Sequence, residues 1–287
     1  MNVFNDTRLD RCPFCQAPKL RQVGQITYAK PTLFSSNVIE LEYPAYLVKC
    51  DNCTSCFTQN SIKDEDLIKL YTKSDSSDRW SRVPIEESKQ SEVIAALSSY
   101  FFKDAVVADV GCNTGELLDF AKSLGAKTTI GVELSKKSRK IIHQKGHESI
   151  DSLTRLENQS VDLITAFDLI EHLHDPNKFL SLCRQKLKAG GKLVLLTGNI
   201  NSVSARLSGK NWWYSSYPEH ISFVSKKYLT KLSELRLDAA IPTYASKAYK
   251  CNYLIVLLSF LIRFPLGKYR GLPSLGPDHF LYVLSKV

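Results

Sequence analysis

The chain has 287 residues, 44% apolar and 23% charged, which excludes a disordered or fibrous protein and leaves room for one or two buried cores. Its net charge of +9 is uneven: residues 201–287 hold 12 Lys and Arg against 4 Asp and Glu, so an acidic acceptor or an anionic surface is drawn to the C-terminal third. Residues 1–6 show no signal-peptide pattern, and five of the eight cysteines cluster near the N-terminus as short pairs rather than as a secreted disulfide framework, so a cytoplasmic location is expected.

Cys12-Pro-Phe-Cys15 and Cys50-Asp-Asn-Cys53 come first. Each C-x2-C pair fits one tight knuckle and offers two thiolates to a tetrahedral zinc ion. The 34 residues between the pairs exceed the usual spacing of about 15–20. They contain β-rich runs, Leu41 to Val48 above all, so a small sheet is expected there. The pattern resembles a zinc ribbon, with Zn2+ as a folding ligand on Cys12, Cys15, Cys50 and Cys53. Cys56 is an equally spaced alternative, and Cys50 is preferred because it directly follows a strand-like run. Residues 1–60 form this module. Residues 61–99 read as a helical linker or lid: a short helix over Asp64–Leu70, then a polar, Ser-rich stretch from Thr72 to Gln90. Tyr71 and Trp80 are placed to close over a ligand or to pack on the surface.

Residues 100–287 form the larger unit. Ala105, Val106, Val107 and Val110 make an apolar run suited to a parallel strand covered on both faces. Asp109 ends it, and Gly111 and Gly115 let the backbone turn and approach a ligand. A second strand over Thr128–Val132 leads into Glu133, 18 residues past Gly115, about where Rossmann-type folds put a carboxylate on ribose hydroxyls. A short third strand, Glu148–Ile150, precedes Asp151 and Ser152. Ser160–Asp168 is the fourth, and Asp175-Pro176 start a helix read as Asn177–Lys188 and ended by Gly190-Gly191. Lys192–Thr197 is the fifth strand. The motif Asp109-Val-Gly-Cys-Asn-Thr-Gly115, the acid Glu133 and the segment Leu169-Ile-Glu-His172…Asp175-Pro176 together resemble class I S-adenosylmethionine-dependent methyltransferases of small-molecule type.

The resemblance covers residues 100–235. It implies an α/β, doubly wound, Rossmann-like sheet binding S-adenosyl-L-methionine through Asp109, Gly111, Asn113, Gly115 and Glu133, with Asp151 and Ser152 near the adenine and Phe167 and Asp168 also on the cofactor. Asn113 stands where a dinucleotide fingerprint has its middle glycine, which argues against a dehydrogenase.

Acceptor chemistry has two candidate places. The loop Asn211–His220 follows the fifth strand, where this fold collects ligands. Tyr217-Pro-Glu-His220 resembles the Tyr-x-Glu-His group of zinc-containing deoxysugar methyltransferases, which implies His220 as base, Glu219 as its orienting acid and Tyr217 beside them. Asp168-Leu-Ile-Glu-His172 resembles the E-x-x-E-H group with which ubiquinone-pathway O-methyltransferases hold a divalent cation.

Toward the C-terminus, Ser225–Leu237 reads as an amphipathic helix, Ile241–Ala248 as a sixth strand and His279–Val287 as a final antiparallel one. Residues 251–264 form an apolar helical insertion too short to span a bilayer, which takes roughly 20 residues. Flanked by basic residues, it is either a covered helix or a peripheral membrane contact. The expected function is therefore methyl transfer to a small-molecule acceptor (a sugar, a quinone or a lipid-linked or acidic metabolite). An RNA-modifying enzyme and a non-catalytic cofactor-binding module are the alternatives. Nucleic acid is disfavoured, because residues 1–60 lack a basic patch with interleaved aromatics and Phe167-Asp-Leu-Ile170 stands where base-amine methyltransferases carry an Asn/Asp-Pro-Pro-aromatic tetrad.

Overall fold

The structure, a computed structural model, describes residues 6–73, 84–88, 91–244, 258, 261–262, 274 and 276–287. Trp80 and most of the 251–264 insertion lie outside these residues.

The N-terminal part is built from short strands. These are β1 (Asp6–Arg8), β2 (Leu20–Ile26), the hairpin β3 (Thr32–Phe34) and β4 (Asn37–Ile39), β5 (Ala45–Cys50), β6 (Cys56–Thr58) and β7 (Asn60–Ile62). The long interval between the cysteine pairs is thus a folded sheet, as its β-rich runs require. Helix α1 (Asp64–Lys73) follows, with three acids in its first turn favouring the positive end of the helix dipole. Then come α2 (Ile85–Ser88) and α3 (Ser91–Tyr100).

The main sheet begins with β8 (Val106–Val110), followed by α4 (Glu116–Ser123), β9 (Thr128–Val132), α5 (Lys136–Gln144), β10 (Glu148–Ile150), β11 (Val161–Phe167), α6 (Pro176–Lys186), β12 (Leu187–Gly198) and α7 (Val203–Ser208). The chain then runs through β13 (Ser222–Phe223), α8 (Lys226–Leu229), β14 (Leu235–Thr243) and β15 (His279–Lys286). The seven strands order β10-β9-β8-β11-β12-β15-β14. The first five are parallel, and β15 inserts antiparallel between β12 and β14.

Strand periodicity divides this sheet between two cores. Val107, Leu163, Val194, Leu196, Leu281 and Val283 face α3 and α4, packing with Val93, Leu97, Leu117, Phe120 and Ala121. Their neighbours Ala108, Ile164, Ala166, Leu193, Leu195, Tyr282 and Leu284 face α6 and α8. Cys12, Phe14, Cys50, Cys53 and Phe57 belong to that second core, so the cysteine module packs into the main body. The backbone joins them as well: β13 adds to the N-terminal sheet in the order β13-β6-β5-β2, pairing Ser222 with Phe57 and Phe223 with Cys56.

Three local expectations change. Helix α6 starts as read, with Pro176 in the first turn and the Asp175 carboxylate accepting the Lys178 N–H at 2.8 Å, but it stops at Lys186. Leu187 is already extended, and Gly190, at φ +73°, lies in an irregularity of β12 that restores register with β11 between Val161 and Leu163. The glycines therefore serve a bulge rather than a helix end. The amphipathic helix over Ser225–Leu237 shrinks to α8, because Leu235 and Leu237 enter a strand against β15, where Leu235 is buried in the core. The sixth strand accordingly starts at Leu235 instead of Ile241.

Candidate functional site

Two clusters lie along the edge where the parallel strands end, and a third occupies the N-terminal module. The first surrounds the glycine turn after β8. Asp109 faces Gly131 across the β8–β9 pair, and Glu133 follows Val132, the partner of Val110, so both acids reach the same edge. Gly111 and Gly115 hold φ +74° and +86°, and Asn113, the residue tolerating such a backbone best after glycine, holds φ +47°. Glu133 accepts the Asn113 N–H at 3.1 Å and the Ser135 N–H at 2.9 Å. A carboxylate has about four acceptor sites, so Glu133 is aimed by the backbone with capacity left for a ligand's hydroxyls.

Asp109 is 5% exposed and accepts the Thr165 hydroxyl at 2.7 Å. Burial pushes its carboxyl up to about 7, the Thr165 bond opposes this, and Glu116 and Glu133 add to the rise. Burial raises Glu133 too, with Arg139 among the groups that oppose it. Asp151 and Ser152 stand at the end of β10. Asp151 pairs with Arg155 at 3.0 Å, and the Ser152 hydroxyl caps the turn over Leu153–Arg155 by accepting the Thr154 N–H at 3.3 Å. Phe167 ends β11, and Asp168 follows it at φ +47°.

The second cluster lies at the ends of β11 and β12. Glu171, fully buried, accepts the Thr197 hydroxyl at 3.0 Å and the Tyr214 hydroxyl, which also lies 3.2 Å from Asp168. Gly198 makes room for Tyr214, since a Cβ there would sit 2.3 Å from its ring. Burial, then the Asp168 charge, raises Glu171. His172 Nδ1 donates to the Glu219 carbonyl at 3.0 Å, with the Tyr71 hydroxyl also at 3.0 Å; His220 Nδ1 donates to the Tyr214 carbonyl at 2.6 Å. A carbonyl can only accept, so both rings carry a proton on Nδ1, and a neutral ring then leaves Nε2 as a lone pair. The rings meet edge to face at 4.8 Å. Desolvation, then His172, pulls His220 down to about 3, so it stays neutral at any physiological pH. One donor atom each from Glu171, His172 and His220 lies within 4.8 Å of the others, an arrangement that can hold a cation.

Several sequence-derived roles are redistributed here. Glu219 turns its carboxylate to the Ser35 N–H, 2.6 Å away in the β3–β4 hairpin, and the Tyr214 carbonyl holds His220 instead. The Tyr217 hydroxyl lies 3.3 Å from Tyr43 and 3.4 Å from the Asn60 carbonyl, among N-terminal residues. Tyr71 sits on the histidine pair rather than over the glycine turn. In the metal-capable group, His220 takes the place that the E-x-x-E-H resemblance gave to Asp168. Tyr214, Thr165, Thr197 and Ser35 carried no motif; only their place beside buried carboxylates identifies them.

The third cluster is the cysteine site. Sulfurs of Cys12, Cys15, Cys50 and Cys53 all lie within 4.8 Å of one another, with Cys12–Cys53 and Cys15–Cys50 at 3.6 Å. That is far beyond a disulfide bond and close to the roughly 3.8 Å edge of a tetrahedron with Zn–S near 2.3 Å. The residue after each knuckle, Gln16 and Thr54, has the same positive φ, 57° and 63°. Cys56 lies in β6, outside the group. The Cys12 thiol, as donor, and Ser55 hold Cys53 down to about 5 against burial. Four sulfurs at tetrahedral spacing fit zinc.

Comparison with known proteins agrees with this geometry. Residues 85–236 match the family model described as a methyltransferase domain. A ubiquinone biosynthesis O-methyltransferase of Idiomarina loihiensis is 29% identical over 145 residues, covering 45% of this chain and 59% of that protein. One from Xanthomonas oryzae pv. oryzae is 33% identical over 105 residues, 33% of this chain and 44% of that protein. The chain thus spans about half the length of the curated relatives it matches. Among solved structures, a chain in the complex between the Haloferax volcanii Trm112 methyltransferase activator and the putative methyltransferase aligns with TM-score 0.50 and 12% identity, over 67% of this chain and 87% of that one, a likeness of fold.

Proposed function

The chain belongs to the methyltransferase-domain family, and on that premise we propose that it transfers a methyl group from S-adenosyl-L-methionine to a small-molecule acceptor. The observation that carries this is the pairing of Asp109 and Glu133 on adjacent strand ends around a turn of positive φ. Burial and mutual repulsion hold Asp109 near neutrality, a tension that a cationic ligand relieves.

The cofactor supplies an electrophilic methyl on a sulfonium, and the protein supplies position and a proton acceptor. Glu133 takes the ribose hydroxyls, Asp109 faces the positive end, and Gly111 lets the backbone come close. Asn113 and Gly115 shape the same turn, Asp151 and Ser152 border the adenine, and Phe167 and Asp168 close the far side. His220, neutral and held too low to ionise the acceptor beforehand, takes the acceptor's proton on Nε2 as the forming C–O bond makes that oxygen acidic. The names of the ubiquinone-pathway relatives support a quinone-type hydroxyl as acceptor. The cysteine site holds Zn2+ as a folding ligand and takes no part in the chemistry. Among the described residues no helix is long and apolar enough to cross a membrane. Leu258, Leu261 and Ile262 are exposed, which supports peripheral contact of the 251–264 segment with a membrane from the cytoplasm and an acceptor linked to lipid.

Methyl-labelled cofactor, incubated with the protein and separated lipid, polar-metabolite and RNA fractions, tests this reading. Label in the lipid or metabolite fraction supports it, label in RNA transfers the reading to nucleic acid, and no label in any fraction leaves a binding module. A second reading is favoured by the Nδ1–carbonyl bonds of both histidines, the usual support for metal-bound imidazoles. In it, Glu171, His172 and His220 hold a divalent cation and His220 is a ligand rather than a base. Metal analysis separates the two: His172→Ala must lower the bound-metal count by one if the second reading holds, and leave it unchanged if the first does.

A further inference from the structure

The cysteine module and the histidine pair are joined by a short, continuous path. Cys53, the last ligand-type residue of the second knuckle, offers its carbonyl to the Ser225 hydroxyl, and Ser55 accepts the Ser225 N–H at 3.0 Å. Ser225, 1% exposed, also accepts the Tyr228 N–H at 3.0 Å and so caps α8. Strand β6 begins three residues past Cys53 and pairs with β13. One step further, Thr58 donates its N–H to the Ile221 carbonyl at 2.7 Å, while the Ile221 N–H donates to the Glu171 carbonyl at 2.7 Å. Ile221 is thus strapped between the N-terminal sheet and the metal-capable cluster, and its chain neighbour is His220. The same stretch is held again from the N-terminal side by Ser35 on Glu219, and Tyr71 from that side bonds His172. The glycine turn has a different footing: Gly111 and Glu133 bond to β9, β10 and their own loops.

We propose that the cysteine site is a brace for the acceptor side, with Ser225 as the positioning residue that transmits the second knuckle's geometry to the loop carrying Glu219, His220 and Ile221. A metal in the cluster fixes where Cys53 and Ser55 present their carbonyl and hydroxyl, and those two groups fix Ser225. The loop in turn supplies the two carbonyls, of Tyr214 and Glu219, that decide the tautomer of His220 and His172. The brace rests on the zinc and acceptor-loop assignments but predicts something neither requires: weakening it disturbs the histidines while the cofactor turn is spared.

The experiment uses the full chain as wild type, Ser225→Ala and Ser225→Thr, with metal content measured for each. Hydrogen exchange is followed by mass spectrometry in peptides covering 217–225 and 107–117, imidazole nitrogens are read by 15N NMR, and S-adenosyl-L-homocysteine is titrated calorimetrically. In Ser225→Ala, exchange over 217–225 should rise about tenfold, the factor expected for one lost buried hydrogen bond, with 107–117 unchanged. The Nδ1–H signatures of His172 and His220 should become mixed, S-adenosyl-L-homocysteine affinity should stay within about threefold, and Ser225→Thr should restore both signatures because it keeps the hydroxyl. Chelation of the cysteine-site metal from wild type should reproduce the Ser225→Ala pattern. Unchanged exchange and unchanged histidine signals in Ser225→Ala overturn the brace, as does an equal rise over 107–117, which marks general loosening. Absence of metal from the purified chain removes the zinc assignment alone, because the Ser225 variants still decide the coupling.

Discussion

The proposed cofactor side and the proposed acceptor side of this molecule are assembled in opposite ways. Asp109, Gly111, Asn113, Gly115 and Glu133 lie within one short stretch of chain and are joined by backbone bonds of two adjacent strands. The acceptor side is gathered from the whole sequence: Ser35 meets Glu219 across 184 positions and Tyr71 meets His172 across 101. The glycine turn is encoded locally, whereas the cluster proposed to face the acceptor is completed by contacts from the docked N-terminal module. The difference predicts that damage to the N-terminal part injures the acceptor side first and the glycine turn last.

The strongest way to break this contrast is at the cysteines. Cys50→Ser should abolish metal binding and lower thermal stability severely, since structural zinc contributes on the order of 10 kcal/mol in comparable modules. Cys56→Ser should keep the metal, because Cys56 lies outside the four-sulfur group. Metal analysis with a thermal melt checks both, and equal loss in the two variants would contradict the ligand assignment.

Next in size is His220→Ala, for which turnover should fall about 10²–10⁴-fold, the range for a removed general base, with cofactor affinity retained. Near-normal turnover would remove His220 as the base.

The two sides should also differ in pH response. The folded Asp109 carboxyl titrates near 7 and an unfolded one near about 4, so the folded chain keeps a proton that the unfolded chain has shed, and stability falls as pH rises through that window, by roughly 2–4 kcal/mol. His220 has the opposite sign. Its folded value is depressed to about 3 against roughly 6.5 when unfolded, so stability is lost as pH falls from about 6.5 toward 3. Denaturant melts across pH should flatten on the neutral limb in Asp109→Asn and on the acid limb in His220→Gln. The smallest effect belongs to Tyr71→Phe, which removes one hydroxyl from His172 and should cost about 1 kcal/mol of stability with cofactor affinity unchanged.

The local half of the molecule was legible in the sequence for physical reasons. The β8 run, the glycine turn, Glu133 and the Asp175-Pro176 helix start are short-range signals whose meaning survives without tertiary context. Spacing marked the two cysteine knuckles but left Cys50 and Cys56 equal, and the strand-like run that ends at Cys50 decided between them. Gly190-Gly191 misled because the same residues that end a helix also relieve a bulge, and register with β11 decided between them. The Ser225–Leu237 helix failed because the edge of β15 offered Leu235 and Leu237 ladder bonds that helix periodicity does not reveal. Ser35 had no signal, and Tyr214 only its place in the Asn211–His220 loop: a phenol and a backbone N–H acquire their partners only when folding buries a carboxylate beside them.

Calorimetric titration of S-adenosyl-L-homocysteine into wild type, Asp109→Asn and Glu133→Ala, all shown folded by circular dichroism, bears most directly on the claim that these acids grip the cofactor. One saturable site per chain is expected, weakened on the order of 10–100-fold in each variant, the cost of losing hydrogen bonds to a charged group. Wild-type affinity in both variants would contradict the account.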